Sequence, residues 1–250
     1  MGLYIEARIR ADLDEVWTRT QDPALHGRWD LRFTEIAYLP RAEGAPRRFR
    51  YATRVLPFLT LAGTGVAAGE RERPDGTRTS ALRFACPHPL SLLAEGSGYW
   101  RYVPDGDGVR FLTGYDYRPR WGAFGALVDR LFLRPLMGWA TAWSFDRLRL
   151  WLERGITPER ALANWLVELA VRACAVVVAL AWLGIGPVLP LFGALAASLA
   201  YLCPLLLSVV VCVALCAPPL ARTPAARRCL RRPVSPTRAP RVLRALENPR

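Results

Sequence analysis

The stretch of sequence from residue 92 to residue 118 reads LLAEGSGYWRYVPDGDGVRFLTGYDYR and predicts a β-hairpin. Apolar and polar side chains alternate on both sides of its centre, which is typical of strands with one buried face. The centre, DGDG at 105–108, carries the Asp-Gly pairs that form tight hairpin turns. The fold of this part of the chain is therefore expected to contain an antiparallel sheet.

The same alternation extends upstream of this hairpin. Asp12, with Glu15 three residues later, predicts the start of a helix, and a second short helix is expected from Pro23 to Gly27. From 122 to 154 the apolar period becomes helical, and Pro135 is expected to kink or split that helix. The predicted strands are 4–9, 33–39, 48–56, 59–72, 78–85, 92–103 and 109–118. Together these elements predict one α+β domain over residues 1–155.

Several stretches of this domain resemble a known superfamily. YIEA at 4–7, DEVW at 14–17, Asp22-Pro23 and HGRWD at 26–30 resemble the opening of the START-like (SRPBCC) polyketide cyclase/dehydrase and lipid-transport proteins. The stretch 129–148 is similar to their long C-terminal helix. The resemblance covers about residues 3–155 and implies a helix-grip fold, in which a curved antiparallel sheet surrounds a long helix and an apolar cavity. Lipid carriers, aromatase/cyclases and hormone binders share that fold, so it implies no single reaction.

Composition excludes a disordered or fibrous chain, because 52% of the 250 residues are hydrophobic and 22% are charged. All 34 basic residues are arginine, a bias that points to a GC-rich genome and weakens arginine content as a sign of nucleic-acid binding. The net charge is +5 over residues 1–160, zero over 161–220 and +8 over 221–250. The chain therefore has a mildly basic domain, an uncharged segment and a strongly basic tail.

The uncharged segment predicts a transmembrane hairpin. The 49 residues between Arg172 and Arg222 carry no charge, and one span needs about 20 apolar residues. Gly184, Gly186 and Pro187 favour a turn between two spans, at 165–185 and 191–217, after a linker at 156–164. A soluble buried hairpin would need a large covering domain, and only 33 residues follow position 217.

Arginines flank both ends of the hairpin, whereas the turn has none. The positive-inside rule therefore places a multi-pass protein in the inner or plasma membrane with both termini in the cytoplasm. The charged N-terminus contains no apolar run typical of a signal peptide. The tail, 218–250, is basic and rich in Pro and Arg, and is predicted to be disordered. It is either attracted to anionic lipids or serves only to set the topology. A nucleic-acid partner is not expected, because this tail emerges from a membrane.

The sequence offers little evidence for a cofactor or a metal. GTGVAA at 63–68 matches a dinucleotide-binding pattern, but PDG at 74–76 leaves no room for the helix that must follow. Those glycines are expected instead to relieve crowding where a strand bends over the long helix. His26 and His88 are the only histidines, and no spacing resembles a zinc site. We expect no cofactor, no metal and six reduced cysteines.

Aromatic residues are the more informative set. Alternation places Trp100 with Tyr102 on one face of a strand, and Tyr115 with Tyr117 on one face of the next. These side chains either pack the core or line a cavity for a flat or long apolar molecule. The candidate ligand-cavity residues are Trp17, Trp29, Arg32, Trp100, Tyr115, Tyr117, Trp121 and Phe124.

Two functions remain open at this point. The first is a membrane-anchored module that binds or transfers a lipid, a quinone or a polyketide-like molecule. The alternative is a cyclase or dehydratase that uses the same cavity, with Arg32, Tyr115 and Asp116 as the first candidates for catalysis. The apolar runs LPFL at 56–59 and LSLL at 90–93 are expected near the cavity entrance, covered by a bilayer or a ligand.

The predicted topology can be tested with reporters. A reporter that is active only in the cytosol should work when fused to either terminus, because arginines hold both flanks inside. Neutral residues in place of Arg222, Arg227, Arg228, Arg231 and Arg232 should weaken this preference. A C-terminal fusion that is active only outside the cytosol would contradict the two-span topology.

Overall fold

The computed structural model describes residues 2–40, 45–185 and 206–233. Its strands are β1 (Leu3–Ile9), β2 (Glu35–Tyr38), β3 (Arg48–Leu56), β4 (Leu59–Glu72), β5 (Arg78–Ala85), β6 (Leu93–Asp105) and β7 (Gly108–Pro119). They form one seven-stranded sheet in the order β1-β7-β6-β5-β4-β3-β2, and all neighbours are antiparallel. The seven predicted strands are confirmed to within three residues at each end.

Five helical segments accompany this sheet: α1 (Leu13–Gln21), α2 (Pro23–Trp29), α3 (Gly122–Val128), a π-helical turn (Asp129–Leu133) and α4 (Arg134–Arg154). Asp12 caps α1 as predicted, because its side chain accepts a hydrogen bond from the backbone N–H of Asp14 at 2.8 Å. Pro135 splits the long helix as predicted. Proline has no N–H to donate and its ring crowds the preceding turn, and the π-helical turn ends where α4 begins beside it.

Helix α4 packs on one face of the sheet, here named the inner face. Phe145 of α4 stacks on Phe111 of β7 with ring centroids 4.4 Å apart, and both rings are fully buried. Trp29 of α2 lies against Phe145 and is also fully buried. The mixed α+β architecture, an antiparallel sheet with a long helix on its inner face, fits a helix grip.

The described chain divides into two units, residues 2–159 with 224–233, and residues 160–223. The first unit thus contains residues that precede the second unit in the chain and residues that follow it. Residues 224–230 form this returning segment, here named the strap. Leu230 and Glu6 exchange two backbone hydrogen bonds of 2.9 Å, so the strap pairs with the outer edge of β1.

The strap is held on α4 by Asp146, which is fully buried. Its carboxylate accepts hydrogen bonds from the backbone N–H of Ala225 at 2.8 Å and from the guanidinium of Arg228 at 2.9 Å. The thiol of Cys229 is buried beside them and donates to the carbonyl of Ala142. The prediction of disorder over 218–250 is therefore wrong for the strap. Its small apolar residues and the buried carboxylate that accepts their hydrogen bonds provide contacts that composition does not reveal. Residues 234–250 lie outside the described residues.

The second unit contains most of α5 (Pro158–Ile185) and a shorter helix, α6 (Leu206–Cys216). Among the residues that the structure describes, α5 is the one helix long and apolar enough to cross a membrane. The predicted first span, 165–185, falls within α5. Of the predicted second span, 206–216 form α6, whereas 191–205 and the turn residues 186–190 lie outside the described residues.

Arg172 of α5 connects the two helices of this unit. Arg172 donates to Glu168 at 2.6 Å, which confirms the pairing expected from their four-residue spacing. Arg172 also donates to the carbonyls of Ala214 and Ala217 at 2.9 and 2.8 Å. Carbonyls in the last turn of a helix have no partner within that helix, so Arg172 satisfies the end of α6. The C-terminal end of α6 therefore lies beside the N-terminal half of α5, as in an antiparallel hairpin.

Replacing Asp146 by alanine should release the strap. A hydrogen bond to a buried charge contributes about 1.5–3 kcal/mol to stability. The equilibrium constant for release of the strap should therefore rise by about tenfold or more. The measurement is the alkylation rate of Cys229, mapped by mass spectrometry in the full chain; burial raises the pKa of this thiol to about 12, which keeps it unreactive. Asp107→Ala, at an exposed carboxylate, is the matched control. Equal Cys229 rates in all three proteins would contradict the role of Asp146.

Candidate functional site

The inner face of the sheet has a covered part and an open part. Under α4, the side chains of Ile5 and Phe111 are fully buried. Further along the inner face, strand register places four apolar side chains together, and each of them is partly exposed: Phe49, Tyr51, Leu82 and Phe84. These four residues define the inner groove, the candidate functional site.

Glycines give the groove its depth. Gly65 is the register partner of Phe49, and Gly96 is the register partner of Phe84. The ring of each aromatic lies across the neighbouring glycine, so that a Cβ at Gly65 would collide with the ring of Phe49 and one at Gly96 would lie 2.6 Å from the ring of Phe84. Tyr51 covers Gly63 in the same way. The rings therefore lie low against the sheet, and their outward surfaces stay partly exposed.

This arrangement explains the glycine-rich motif at 63–68. The motif lies inside strand β4, and neither Gly63 nor Gly65 begins a phosphate-binding loop. Their expected role was to relieve crowding where a strand bends over the long helix. In the structure they relieve crowding against the rings of Tyr51 and Phe49, which belong to the adjacent strand.

Two tyrosines border the groove on its α4 side. Tyr115 is separated from Leu82 across the sheet only by Gly98, and Tyr117 is separated from Phe84 only by Gly96. The hydroxyl of Tyr115 lies 3.0 Å from that of Thr141 on α4. These side chains bring hydroxyl groups to the edge of an otherwise apolar surface.

The second tyrosine is tied to the π-helical turn. The hydroxyl of Tyr117 donates to the buried carboxylate of Asp129 at 2.5 Å, and the guanidinium of Arg134 donates to the same carboxylate at 3.0 Å. Burial, together with this hydrogen bond, raises the pKa of Tyr117 well above its ordinary value. Tyr117 therefore stays protonated and acts as a hydrogen-bond donor.

A buried polar cluster lies beside Tyr115. The carboxylate of Asp30 accepts two hydrogen bonds from the guanidinium of Arg32, at 2.9 and 2.6 Å, and one from the Nε2 atom of His26 at 3.0 Å. The guanidinium carbon of Arg32 lies 5.6 Å from the ring centre of Tyr115 and 5.3 Å from that of Phe33. Phe33 in turn packs edge-on against Tyr51, so the cluster borders the groove.

Electrostatics fix the protonation of this cluster. Burial lowers the pKa of His26 and outweighs its hydrogen bond to Asp30, so the imidazole is neutral at neutral pH. Burial alone would raise the pKa of Asp30, but the charge of Arg32 and the hydrogen bonds from His26 and Arg32 outweigh it and lower that pKa well below its ordinary value. The cluster therefore holds one positive and one negative charge, which satisfy each other in a buried place.

Two of the predicted cavity residues, Trp29 and Trp100, are buried in the core, and a third, Trp17, is partly exposed. Trp29 stacks on His26 with ring centroids 4.9 Å apart, and Trp100 meets the same imidazole edge-on at 4.8 Å. Trp17 packs on Tyr102 at 4.9 Å, away from the groove residues. The burial of Trp29 and Trp100 agrees with core packing, one of the two interpretations that the sequence left open.

The other five predicted residues fall into two places. Arg32, Tyr115 and Tyr117 border the inner groove, as described above. Trp121 and Phe124 are exposed at the start of α3, with 43% and 67% of their surface accessible. Of the three residues considered for catalysis, Arg32 and Tyr115 come together, whereas the side chain of Asp116 is exposed and pairs with Arg134 at 3.3 Å.

Sequence reasoning missed two parts of the site. His26 and Asp30 lie four residues apart around the end of a short helix, a spacing that brings side chains together and that could have identified them. Phe49, Tyr51 and Phe84 were also missed. The signal that could have found them is the alternation of aromatic residues and glycines between predicted neighbouring strands.

Comparison with known proteins finds a similar membrane protein. The chain is 45% identical over 166 residues to the uncharacterized membrane protein YndG of Bacillus subtilis (strain 168), a match that spans 66% of this chain and 62% of that protein. The chain thus covers less than two thirds of the length of this relative. No family model matches the chain.

Several solved structures are similar to part of this chain. A STAR-related lipid transfer protein from Xanthomonas axonopodis is 20% identical, with a TM-score of 0.45 over 60% of this chain and 84% of that one. Human StAR-related lipid transfer protein 5 is 15% identical, with a TM-score of 0.44 over 60% and 74%. The Zhui aromatase/cyclase from a Streptomyces species is 16% identical, with a TM-score of 0.39 over 59% and 95%. At these values the likenesses assign no function to this chain.

The buried histidine predicts a pH dependence of stability. The pKa of His26 is lowered in the folded state, so below about pH 6.5 the unfolded state binds a proton that the folded state does not. The free energy of unfolding should therefore fall between pH 6.5 and 5, by at most about 1.4 kcal/mol per pH unit. Asp30, whose pKa is also lowered, adds to this loss only below about pH 4.

The check compares urea unfolding, followed by tryptophan fluorescence, of the full chain and of two variants from pH 5 to 8. His26→Gln should flatten the pH dependence in this range, while His88→Gln, at the other histidine, should leave it unchanged. An unchanged slope in His26→Gln would show that His26 is not buried in its neutral form.

Proposed function

We propose that the chain is a membrane-anchored protein whose first unit binds or transfers a hydrophobic molecule, such as a lipid, a quinone or a polyketide-like compound, in the inner groove. The observation that carries this proposal is the set of partly exposed aromatic and aliphatic side chains on the inner face, bordered by hydroxyl groups and a buried ion pair. A mainly apolar molecule with one polar group suits such a surface.

Energetics favour an occupant for the groove. Apolar surface in contact with water is unfavourable by about 25 cal/mol per Å2, and a bound apolar molecule would remove this penalty at Phe49, Tyr51, Leu82 and Phe84. Filling the same space with larger side chains would be the simpler solution for a purely structural core. The chain instead places Gly65 and Gly96 there, so that the rings of Phe49 and Phe84 lie against the sheet.

The membrane anchor is supported by α5. Its apolar side chains are exposed on several sides, including Val167 at 62%, Val171 at 63% and Val177 at 64%, which suits a helix surrounded by lipid. The similar Bacillus subtilis protein is described as a membrane protein, which agrees with this proposal. A domain tethered to a bilayer meets molecules dissolved in that bilayer at high effective concentration.

The strap supports two crossings of the membrane. It follows α6 in the chain, yet it packs on Asp146 and β1 of the unit that precedes α5. If α5 crosses the bilayer, the chain must return to the same side before residue 224. Together with the arginines on both flanks, this arrangement favours a hairpin with both termini in the cytoplasm.

The ligand proposal is tested by what co-purifies with the full chain in a mild detergent. Ala67 lies on the inner face next to the groove, as the register partner of Leu82. Ala67→Phe should fill the groove and remove a bound apolar compound, because the new ring occupies its space. Mass spectrometry of extracted compounds should find about one molecule of one compound class per wild-type chain.

Thr64→Phe is the matched control, since Thr64 lies on the same strand but is exposed on the outer face. It should retain the compound at the wild-type level. The same background of membrane lipid in all three proteins, with no compound depleted in Ala67→Phe, would contradict binding in the groove. Conversion of an added linear polyketide to a cyclised product would favour the enzyme alternative instead.

A further inference from the structure

The turns at the two ends of the first unit differ in chemistry. Strands β3, β5 and β7 run in the same direction, so the segments that follow them meet at one end of the sheet. Hydrogen bonds join the segments after β5 and β7: the indole of Trp121 donates to the carbonyl of Pro89 at 3.1 Å, and the guanidinium of Arg120 donates to the carbonyl of Cys86 at 2.7 Å. We name this end the apolar end.

Large apolar side chains are exposed at the apolar end. Phe58, at the tip of the β3–β4 turn, is 86% exposed, and Phe132 of the π-helical turn is 68% exposed. Four further residues, Leu90, Phe124, Leu127 and Leu131, are each more than half exposed. Soluble surfaces rarely present so many large apolar side chains together, and such patches mark interaction sites.

One helical segment provides most of this surface. From α3 into the π-helical turn, Gly125 and Asp129 are buried, while the apolar residues between and after them face outward. A helical segment that is apolar on its outer face and flanked by arginines is typical of helices that lie in the interface of a membrane.

Charge distinguishes the apolar end from the opposite end. The segments 54–61, 86–92 and 119–136 contain four arginines and one acid, Asp129, which is buried and paired with Arg134. The exposed charge of this end is therefore positive, and Arg54 and Arg130 are exposed beside the apolar side chains. At the opposite end, the turns at 72–77 and 104–108 contain four acids and one arginine.

We propose that the apolar end inserts into the surface of the same bilayer that anchors the chain, with its apolar side chains below the headgroups and its arginines against anionic lipid phosphates. This inference rests on the proposed membrane anchoring. Charge complementarity favours an anionic bilayer as the occupant, because each arginine near such a surface adds to the attraction.

The tether favours the anchoring bilayer over any other. Only residues 155–157 separate α4 from α5, and α4 has 21 residues, a length of about 31 Å. The first unit is therefore tethered through a short linker to the helix that the proposal places in the bilayer. Tethering raises the effective concentration of this bilayer above that of a second membrane or a free partner. Insertion would also place the neighbouring groove at the source of a lipid-soluble ligand.

The test uses the full chain in nanodiscs of phosphatidylcholine and phosphatidylglycerol in a 3:1 ratio, which contain a phospholipid with a photoreactive group near its headgroup. After irradiation, mass spectrometry locates the labelled peptides. Label is expected in 54–61 and 119–136, and not in the turn at 104–108. Phosphatidylcholine alone should reduce the label at the apolar end, because the arginines lose their anionic partners.

Two variants provide the comparison. Phe58→Ser combined with Phe132→Ser should lower the label at the apolar end by about tenfold or more, because two large apolar anchors are lost. Leu39→Ser is the control, since Leu39 is also exposed but follows β2 at the opposite end of the sheet. It should leave the label unchanged.

The outcomes separate this inference from the proposed function. Label in α5 but none at the apolar end would overturn the inference and leave the anchoring intact. Label at the apolar end only when the reactive lipid is supplied in separate vesicles would also overturn it, since a second bilayer would then be the partner. Absence of label from α5 would instead contradict the anchoring on which the inference rests.

Discussion

The packing of aromatic rings over glycines is the interaction on which the candidate site depends. Phe49, Tyr51 and Phe84 each lie across a glycine of the neighbouring strand, and a Cβ at that glycine would collide with the ring. Because the rings lie against the sheet, the space above them is not filled from the sheet side. The shape of the groove thus depends on side-chain size on adjacent strands, at the positions where a ring and a glycine are in register.

Two buried carboxylates provide the polar counterpart of this packing. Asp30 neutralises Arg32 beside the groove, and Asp146 holds the strap on α4. In both cases a carboxylate that is wholly buried accepts hydrogen bonds from an arginine, which offsets the loss of hydration. The first pair gives the groove a fixed polar border. Asp146 holds the strap, which follows α6 in the chain, on the unit that precedes α5. This contact agrees with the proposed topology, in which the chain returns to the side of the membrane that it left.

The elements of the fold were predictable because their signals are local. Strand alternation, the Asp12 cap and the effect of Pro135 each depend on neighbouring residues, and the structure confirms them. The strap was not predictable from composition, since its stability depends on Asp146, almost 80 residues away in the chain. Of the candidate cavity residues, Arg32, Tyr115 and Tyr117 border the groove, and their role in binding stays a prediction. The groove residues Phe49 and Phe84 require strand register, which a single sequence does not provide.

The most direct test of the groove is chemical capture of its occupant in cells. A photoreactive benzoylphenylalanine in place of Phe84 would lie on the inner face, and the same residue in place of Arg83 would lie on the outer face one position away. After irradiation of cells and purification of the full chain, mass spectrometry measures the adduct at each position. The groove predicts a small apolar adduct at position 84 and none at position 83. Equal adducts at both positions, or none at position 84, would contradict a ligand-binding groove.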